Sequence, residues 1–347
     1  MISHSKPWIT EADREAVGHV LSGGMVAQGR LVEEFEARAG DYLGAGGGVA
    51  AASGTAALLL ALRALGVGAG DEVILPTYVC KSVLEAVTTL GARGVLCDVG
   101  DGWNMTPREV APHVTARTAA IIVVHIFGIA ADARAFREFG VPLVEDCCQA
   151  FGAKVGQDFA GTIGAAGVYS FHAIKCLTTG EGGLAVSNDP GLLERMRGLR
   201  DGGEGLAPAR VAAPLTDMQA ALGLSQLARY EEFQSRRLKI AARYFDGLRD
   251  CPVRLPEGAR GASMFYRFPV RAGGGDFRDQ RRRFEGRGVQ TRRGVDRLLH
   301  RFLGLDPELF PNAEKLFRET VSLPIYPALA DAEIEQVIGA ARAVWQR

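Results

Sequence analysis

The sequence predicts an α/β protein: a largely parallel sheet with crossover helices forms a large first domain, and a smaller domain follows. Three observations predict it. Short runs rich in Val, Ile and Leu alternate with helical stretches over the first two thirds of the chain. Those runs are near-continuous rather than alternating, which suits strands covered on both faces. The 44 glycines fall mostly between the runs, where turns belong. At 347 residues the chain has the length of about two domains.

The strands are expected at Glu72–Pro76, Gly94–Val99, Ala119–Phe127, Pro142–Glu145, Gly167–His172 and Gly183–Ser187. Between them, Thr55–Leu65 is Ala/Leu-rich, Ser82–Leu90 is amphipathic and Asp132–Phe139 reads as a short charged helix. In such a sheet the active site lies at the carboxyl ends of the strands. The pattern changes near Thr216. Asp217–Arg249 reads as one long helix or two, Phe265–Arg271 as a strand and Asp331–Gln346 as a final helix. The large domain is placed at 1–225 and the smaller, α+β one at 226–347.

Lys plus Arg and Asp plus Glu are 40 each, so nothing in the charge balance points to nucleic acid or an anionic membrane. The longest apolar stretch, Ala119–Ala131, is too short to span a bilayer, and His125 interrupts it. No signal pattern opens the chain. A cytoplasmic enzyme is the expected class. The six cysteines include no CxxC pair and no histidine at zinc-finger spacing, so they are expected as reduced thiols, with no metal.

Three motifs offer chemistry. Ser53-Gly54-Thr55-Ala56 opens a helix, where small residues and unpaired N–H groups attract a phosphate, although simple N-capping explains it as well. The run Gly44–Gly48 invites a dinucleotide-binding reading, but the third fingerprint glycine falls on Val49. Leu143–Ala150 delivers Glu145 and Asp146 at the end of an apolar strand. One acid could cap the next helix. A buried one needs a cationic partner, such as a protonated pyridine nitrogen. In Tyr169–Gly183, Lys175 follows a strand and precedes a Thr/Gly turn. Desolvation would lower its pKa and free a neutral amine for Schiff-base chemistry; a surface lysine is the alternative. Residues 267–301 also hold eleven arginines against four acids, either a solvated helix face or a site for an anionic substrate.

In order, SGTAA, DEVILP, VEDCCQAFGA, YSFHAIKCLTTGEGG, TDMQAALGLSQL, FPNAE and SLPIYP resemble the DegT/DnrJ/EryC1/StrS aminotransferases over residues 8 to 340. The resemblance implies the aspartate-aminotransferase-like fold, known as fold-type I, with a three-layer large domain. It implies pyridoxal 5'-phosphate (PLP) as cofactor. Lys175 matches the lysine that binds it as a Schiff base, and Asp146 the acid that pairs with the pyridine nitrogen. Gln149 matches the residue near the phenolic oxygen. Gly54, Thr55 and Ser170 match the phosphate cradle, and His172 belongs to the same segment. Cys80 stands where relatives often carry an aromatic that stacks on the ring; Tyr78 could compensate only if the strand were re-registered. Before TDMQAAL, relatives often carry an Asn or Lys that reaches the neighbouring subunit's phosphate. Val211–Leu215 has no such side chain, and Arg210 is the nearest replacement.

The implied reaction moves an amino group from a donor, L-glutamate, to a keto sugar, nucleotide-linked in most relatives, in a homodimer with sites at the interface. The alternatives are an acceptor such as a cyclitol and a non-catalytic sensor that keeps the fold. A nicotinamide-dependent oxidoreductase is the reading left by the glycine run. A histidine in place of the lysine marks relatives that dehydrate sugars, and Lys175 argues against that branch.

Overall fold

The apolar runs become one seven-stranded sheet: β1 (Gly48–Ala51), β2 (Glu72–Pro76), β3 (Arg93–Cys97), β4 (Thr118–Val124), β5 (Leu143–Asp146), β8 (Ala166–Ser170) and β9 (Gly183–Val186), in the order β1-β9-β8-β5-β4-β2-β3. A two-residue-per-strand hairpin, β6 (Lys154–Val155) and β7 (Asp158–Phe159), projects between β5 and β8. The computed structural model describes residues 1–202, 211, 213–261, 263–273 and 275–346. The pairs from β3 through β8 are parallel, whereas β9 runs antiparallel to both β8 and β1. The chain can therefore pass from β8 to β9 without a crossover helix, and the segment carrying Lys175 is that connection.

Side chains alternate across the sheet and sort into two cores. Val49, Ala51, Val168 and Ala185 face α3 (Gly54–Ala64), α4 (Lys81–Thr89) and α6 (Pro190–Asp201). Ala50, Tyr169, Leu184 and Val186 face α2 (Arg30–Leu43) and α7 (Asp217–Ala228), on which α1 (Glu11–Gly23) packs. This gives the helix–sheet–helix sandwich of fold-type I, and both faces of the central strands are buried. The start of α3 lies against β9: a Cβ on Gly183 would sit 2.2 Å from the Ser53 carbonyl oxygen. Glycine there lets the helix N-terminus reach the ends of the strands.

A third core joins α8 (Tyr230–Leu248), α9 (Phe277–Glu285), α12 (Asp331–Trp345) and a two-stranded antiparallel sheet of β10 (Phe268–Arg271) and β11 (Thr320–Leu323). Ile2 also packs there. Residues after the β10 strand do not all stay with it. Leu298 and Leu299 at the start of α10 (Leu299–Leu303), and Ala313 and Leu316 of α11 (Pro311–Glu319), pack into the core of the large sheet. His300 is buried there between Thr77 and Glu314, with ring nitrogens 2.8 and 3.0 Å from their side-chain oxygens.

Of the two readings of Asp217–Arg249 the structure takes the second: it forms two helices, because Arg229 leaves helical geometry between them. Several other expectations need correction. Asp132–Phe139 is a 3₁₀ segment, Ala133–Phe139, rather than an α-helix. The strand expected to reach Phe127 stops at Val124; Phe127 adopts a left-handed φ of 62°. The glycine run is followed by β1 and does not itself link a strand to a helix, so the dinucleotide fingerprint has no matching local structure. A short helix α5 (Pro107–Val110) was not expected. Among the described residues no helix is long and apolar enough to cross a membrane.

Candidate active site

The end of β5 divides two neighbouring acids between the two faces of the sheet. Glu145 is fully buried. Its carboxylate accepts the Gly161, Ile163 and Gly164 N–H groups at 2.7–2.9 Å and lies 3.0 Å from His125 Nε2. His125 Nδ1 accepts the Ala131 N–H at 2.9 Å, so Nε2 carries the proton and donates it to Glu145. Burial pushes the Glu145 carboxyl up, but these hydrogen bonds outweigh it and hold the pKa below the usual range. Cys147 lies close to both, yet the His125 and Glu145 groups are already engaged within the fold.

Asp146 turns to the other face. It is 6% exposed, and one oxygen accepts the Cys148 N–H at 2.9 Å. Three residues further on, Gln149 accepts the Phe127 N–H at 2.8 Å through its side-chain oxygen. That bond fixes the amide orientation and leaves its NH₂ group as a donor.

The parallel neighbour β8 ends at Ser170, and the chain then turns. Gly180 N–H bonds Thr178 Oγ1 at 2.9 Å, Thr179 N–H bonds the Phe171 carbonyl at 2.9 Å, and Lys175 N–H bonds the His172 carbonyl at 2.8 Å. The turn brings the Lys175 amine back over the strand ends, 5.0 Å from the Tyr266 ring centroid. His172 is half-exposed, with Nε2 3.4 Å from Glu181. Opposite stands the first turn of α3. Ser53 caps it by accepting the Ala56 N–H at 3.1 Å, and the Ala57 N–H bonds the Ser53 carbonyl. The N–H groups of Gly54 and Thr55 have no acceptor within the helix, so they are free to meet an anion. A Cβ on Gly54 would lie 2.8 Å from Ser170 Cβ and 2.9 Å from Cys148 Sγ, so the site closes only with glycine there.

These pieces line one cavity of about 290 Å³. Gly54, Thr55, Cys80, Asp146, Gln149, Ser170, His172 and Lys175 all border it. It therefore combines an amine, a carboxylate, an amide donor and a helix N-terminus, a set that fits a ligand with a carbonyl, a basic ring nitrogen and a phosphate. Sequence reasoning missed Val79, Ser82, Cys148 and Glu181 on its wall, and Tyr266 beneath the amine. Tyr266 comes from the segment before β10, and nothing in the sequence links it to a lysine ninety residues earlier.

One condition on the site is not met, and one expectation changes. Tyr78 does not compensate for Cys80: it is buried, stacks edge-on against Phe127 with centroids 6.4 Å apart, and takes no part in the cavity wall. Cys80 itself borders the cavity. The Lys175 pKa is not lowered. Burial disfavours the ammonium, but Tyr266, Cys148 and Asp146 around it outweigh burial and raise the pKa above the ordinary lysine value. Of these three groups Asp146 is the carboxylate. Arg210 lies outside the described residues.

The family model for the DegT/DnrJ/EryC1/StrS aminotransferases matches residues 7–342. The chain is 30% identical to the spore coat polysaccharide biosynthesis protein SpsC of Bacillus subtilis (strain 168), over 98% of this chain and 96% of SpsC. Its structure is similar to that of the aminotransferase TlmJ from Streptoalloteichus hindustanus, with 35% identity, a TM-score of 0.91 and coverage of 99% and 98% of the two chains. It is also similar to the putative sugar aminotransferase Spr1654 from Streptococcus pneumoniae in its PLP form, with 26% identity, a TM-score of 0.92 and coverage of 98% and 97%. The chain belongs to the DegT/DnrJ/EryC1/StrS family; it is a PLP-dependent aminotransferase.

Proposed function

We propose that this family member transfers an amino group from L-glutamate to the ketone of a nucleotide-linked sugar, with Lys175 and Asp146 as its catalytic residues and a homodimer as its working form. The observation that carries the assignment of residues is the single cavity shared by Lys175, Asp146 and the N-terminus of α3. The sugar acceptor is supported by the relatives: Spr1654 is described as a putative sugar aminotransferase, and SpsC as a polysaccharide biosynthesis protein.

Bound PLP supplies an aldehyde that takes up the amino group and a ring that accepts the electron pair left when a Cα proton departs. The chain supplies the rest. Asp146, held by the Cys148 N–H, keeps a proton on the ring nitrogen, because a carboxylate in a nearly closed site needs a cation beside it. The Gln149 NH₂ donates to the phenolic oxygen, since its own oxygen is committed to Phe127. The Gly54 and Thr55 N–H groups and the Ser170 hydroxyl hold the phosphate. With the cofactor bound, the Lys175 amine would be the base in this cavity that takes up and returns the Cα proton. His172 and Glu181 form a polar pair at the cavity wall and orient the substrate side.

The test is a pair of half-reactions. Glutamate alone should convert the protein-bound cofactor to its amine form with one equivalent of 2-oxoglutarate released. A nucleotide-linked keto sugar should then restore the starting spectrum, while the free sugar or a keto-cyclitol should do so far more slowly. Restoration by the cyclitol and not by the nucleotide sugar would replace this reading with the cyclitol one.

A further inference from the structure

Between the third core and the helices α10 and α11 lies a second cavity, of about 710 Å³, that shares no lining residue with the first. Its wall is arginine-rich: Arg278, Arg281, Arg292, Arg293, Arg301 and Arg318 border it, against the three carboxylates Asp276, Glu285 and Asp296. The cations outnumber the anions, and two of them are uncommitted. Among the described residues neither the Arg278 nor the Arg292 guanidinium makes a hydrogen bond or ion pair. Arg281 is held by Glu285 at 2.7 Å, and Arg301 is paired with Glu314.

Three further observations add neutral donors and a fixed cation to the same wall. Thr291, 3% exposed, lines the cavity, and its hydroxyl has no hydrogen-bond partner. The Gln290 side-chain oxygen accepts the His4 N–H at 3.4 Å, which leaves its NH₂ group as a donor. Arg293 lies over the Phe277 and Phe317 rings at 4.8 and 4.4 Å and donates to the Phe317 carbonyl at 3.1 Å. That stacking fixes the guanidinium in place. The field is felt nearby: burial, and then Arg267 and Arg292, hold the buried His4 well below its ordinary pKa.

We propose that this cavity is a binding site for a diphosphate group. Guanidinium forks match phosphoryl oxygens in pairs, and two unpaired arginines with neutral donors on the same wall suit two adjacent phosphoryl groups better than one. An anion of charge −2 to −3 matches the excess of cations on the wall. The inference stands on the wall chemistry alone and does not depend on which acceptor the enzyme aminates. The diphosphate could be a free ligand or part of a larger metabolite.

The test uses the PLP-loaded enzyme, so that the phosphate cradle at α3 is filled. Inorganic pyrophosphate is titrated by calorimetry at about 0.1 M salt, with sulfate as the comparison anion. The site predicts saturable binding of pyrophosphate, tighter than sulfate. Arg278→Ala and Arg292→Ala should each weaken it about tenfold, as loss of a charged hydrogen bond does. Both side chains are exposed and unpaired among the described residues, so the folded holoenzyme and its cofactor absorbance should be unchanged. Binding that the two variants leave intact, or no preference for pyrophosphate over sulfate, would overturn the assignment. The source is read from kinetics on the same enzyme. Competition between pyrophosphate and the amino acceptor places the diphosphate on the acceptor, and non-competitive behaviour places it on a separate ligand.

Discussion

Glu145 and Asp146 are adjacent in sequence, both nearly closed to solvent, and opposite in situation. Behind the sheet, Glu145 is saturated by three backbone amides and His125. In front, Asp146 takes one backbone amide and faces a cavity shared with a lysine. A buried carboxylate whose oxygens are all engaged within the fold holds the fold together. One with an oxygen left over is waiting for a cation. The strand's two-residue period alone sends them to opposite faces.

That contrast can be broken by mutation, and the largest effects belong to the front face. Lys175→Ala should lower turnover by about 10⁴-fold, the upper range for a proton-moving group, while thermal unfolding stays near that of the parent. Asp146→Asn should lower it by about 10²–10³-fold, again with little change in melting temperature. Steady-state kinetics alongside scanning calorimetry separate the two readouts. Behind the sheet the pattern should invert. Glu145→Ala strands three amides and His125 and should cost about 3 kcal/mol or more of stability, measured by urea unfolding. If Asp146→Asn proved the more destabilising of the two, the division of roles would be wrong.

Acidity sharpens the same comparison. The Glu145 pKa is lowered in the folded chain, so its contribution to stability is complete above the unfolded carboxyl value. It is lost as pH falls through the folded one. The parent should therefore lose more stability than Glu145→Gln between neutral and acid pH. Lys175 titrates the other way. Its raised pKa keeps the ligand-free amine protonated at neutral pH, so the rate of PLP capture by the apoprotein should climb with pH across the range 6.5–8.5, followed by absorbance. A flat profile would contradict the raised pKa. The smallest effect is expected at Cys80, where an alanine removes only a thiol from the wall and should change cofactor affinity by less than about threefold.

Much of this arrangement was legible in the chain. Buried strands announced themselves because parallel strands are apolar on both faces, and β2 was read to the residue. The eight residues singled out for the site all border one cavity, since each lies at a strand end or helix start that a local motif marks. What stayed hidden depends on contacts between distant segments. Strand β1 has only four residues beside a glycine run, too few for a period to show. The raised Lys175 pKa comes from Tyr266 and Cys148, groups that tertiary folding brings to it. The arginines of 267–301 read first as a solvated helix face, and only the fold gathers five of them, with the neighbouring Arg318, around a common cavity.

The most direct measurement is reduction of the PLP-loaded enzyme with borohydride, followed by peptide mass spectrometry. Attachment of the phosphopyridoxyl mass to Lys175, and its disappearance in Lys175→Ala, is the predicted result. A stoichiometric label on any other lysine, or none on a protein with the cofactor's colour, would contradict the account of this site.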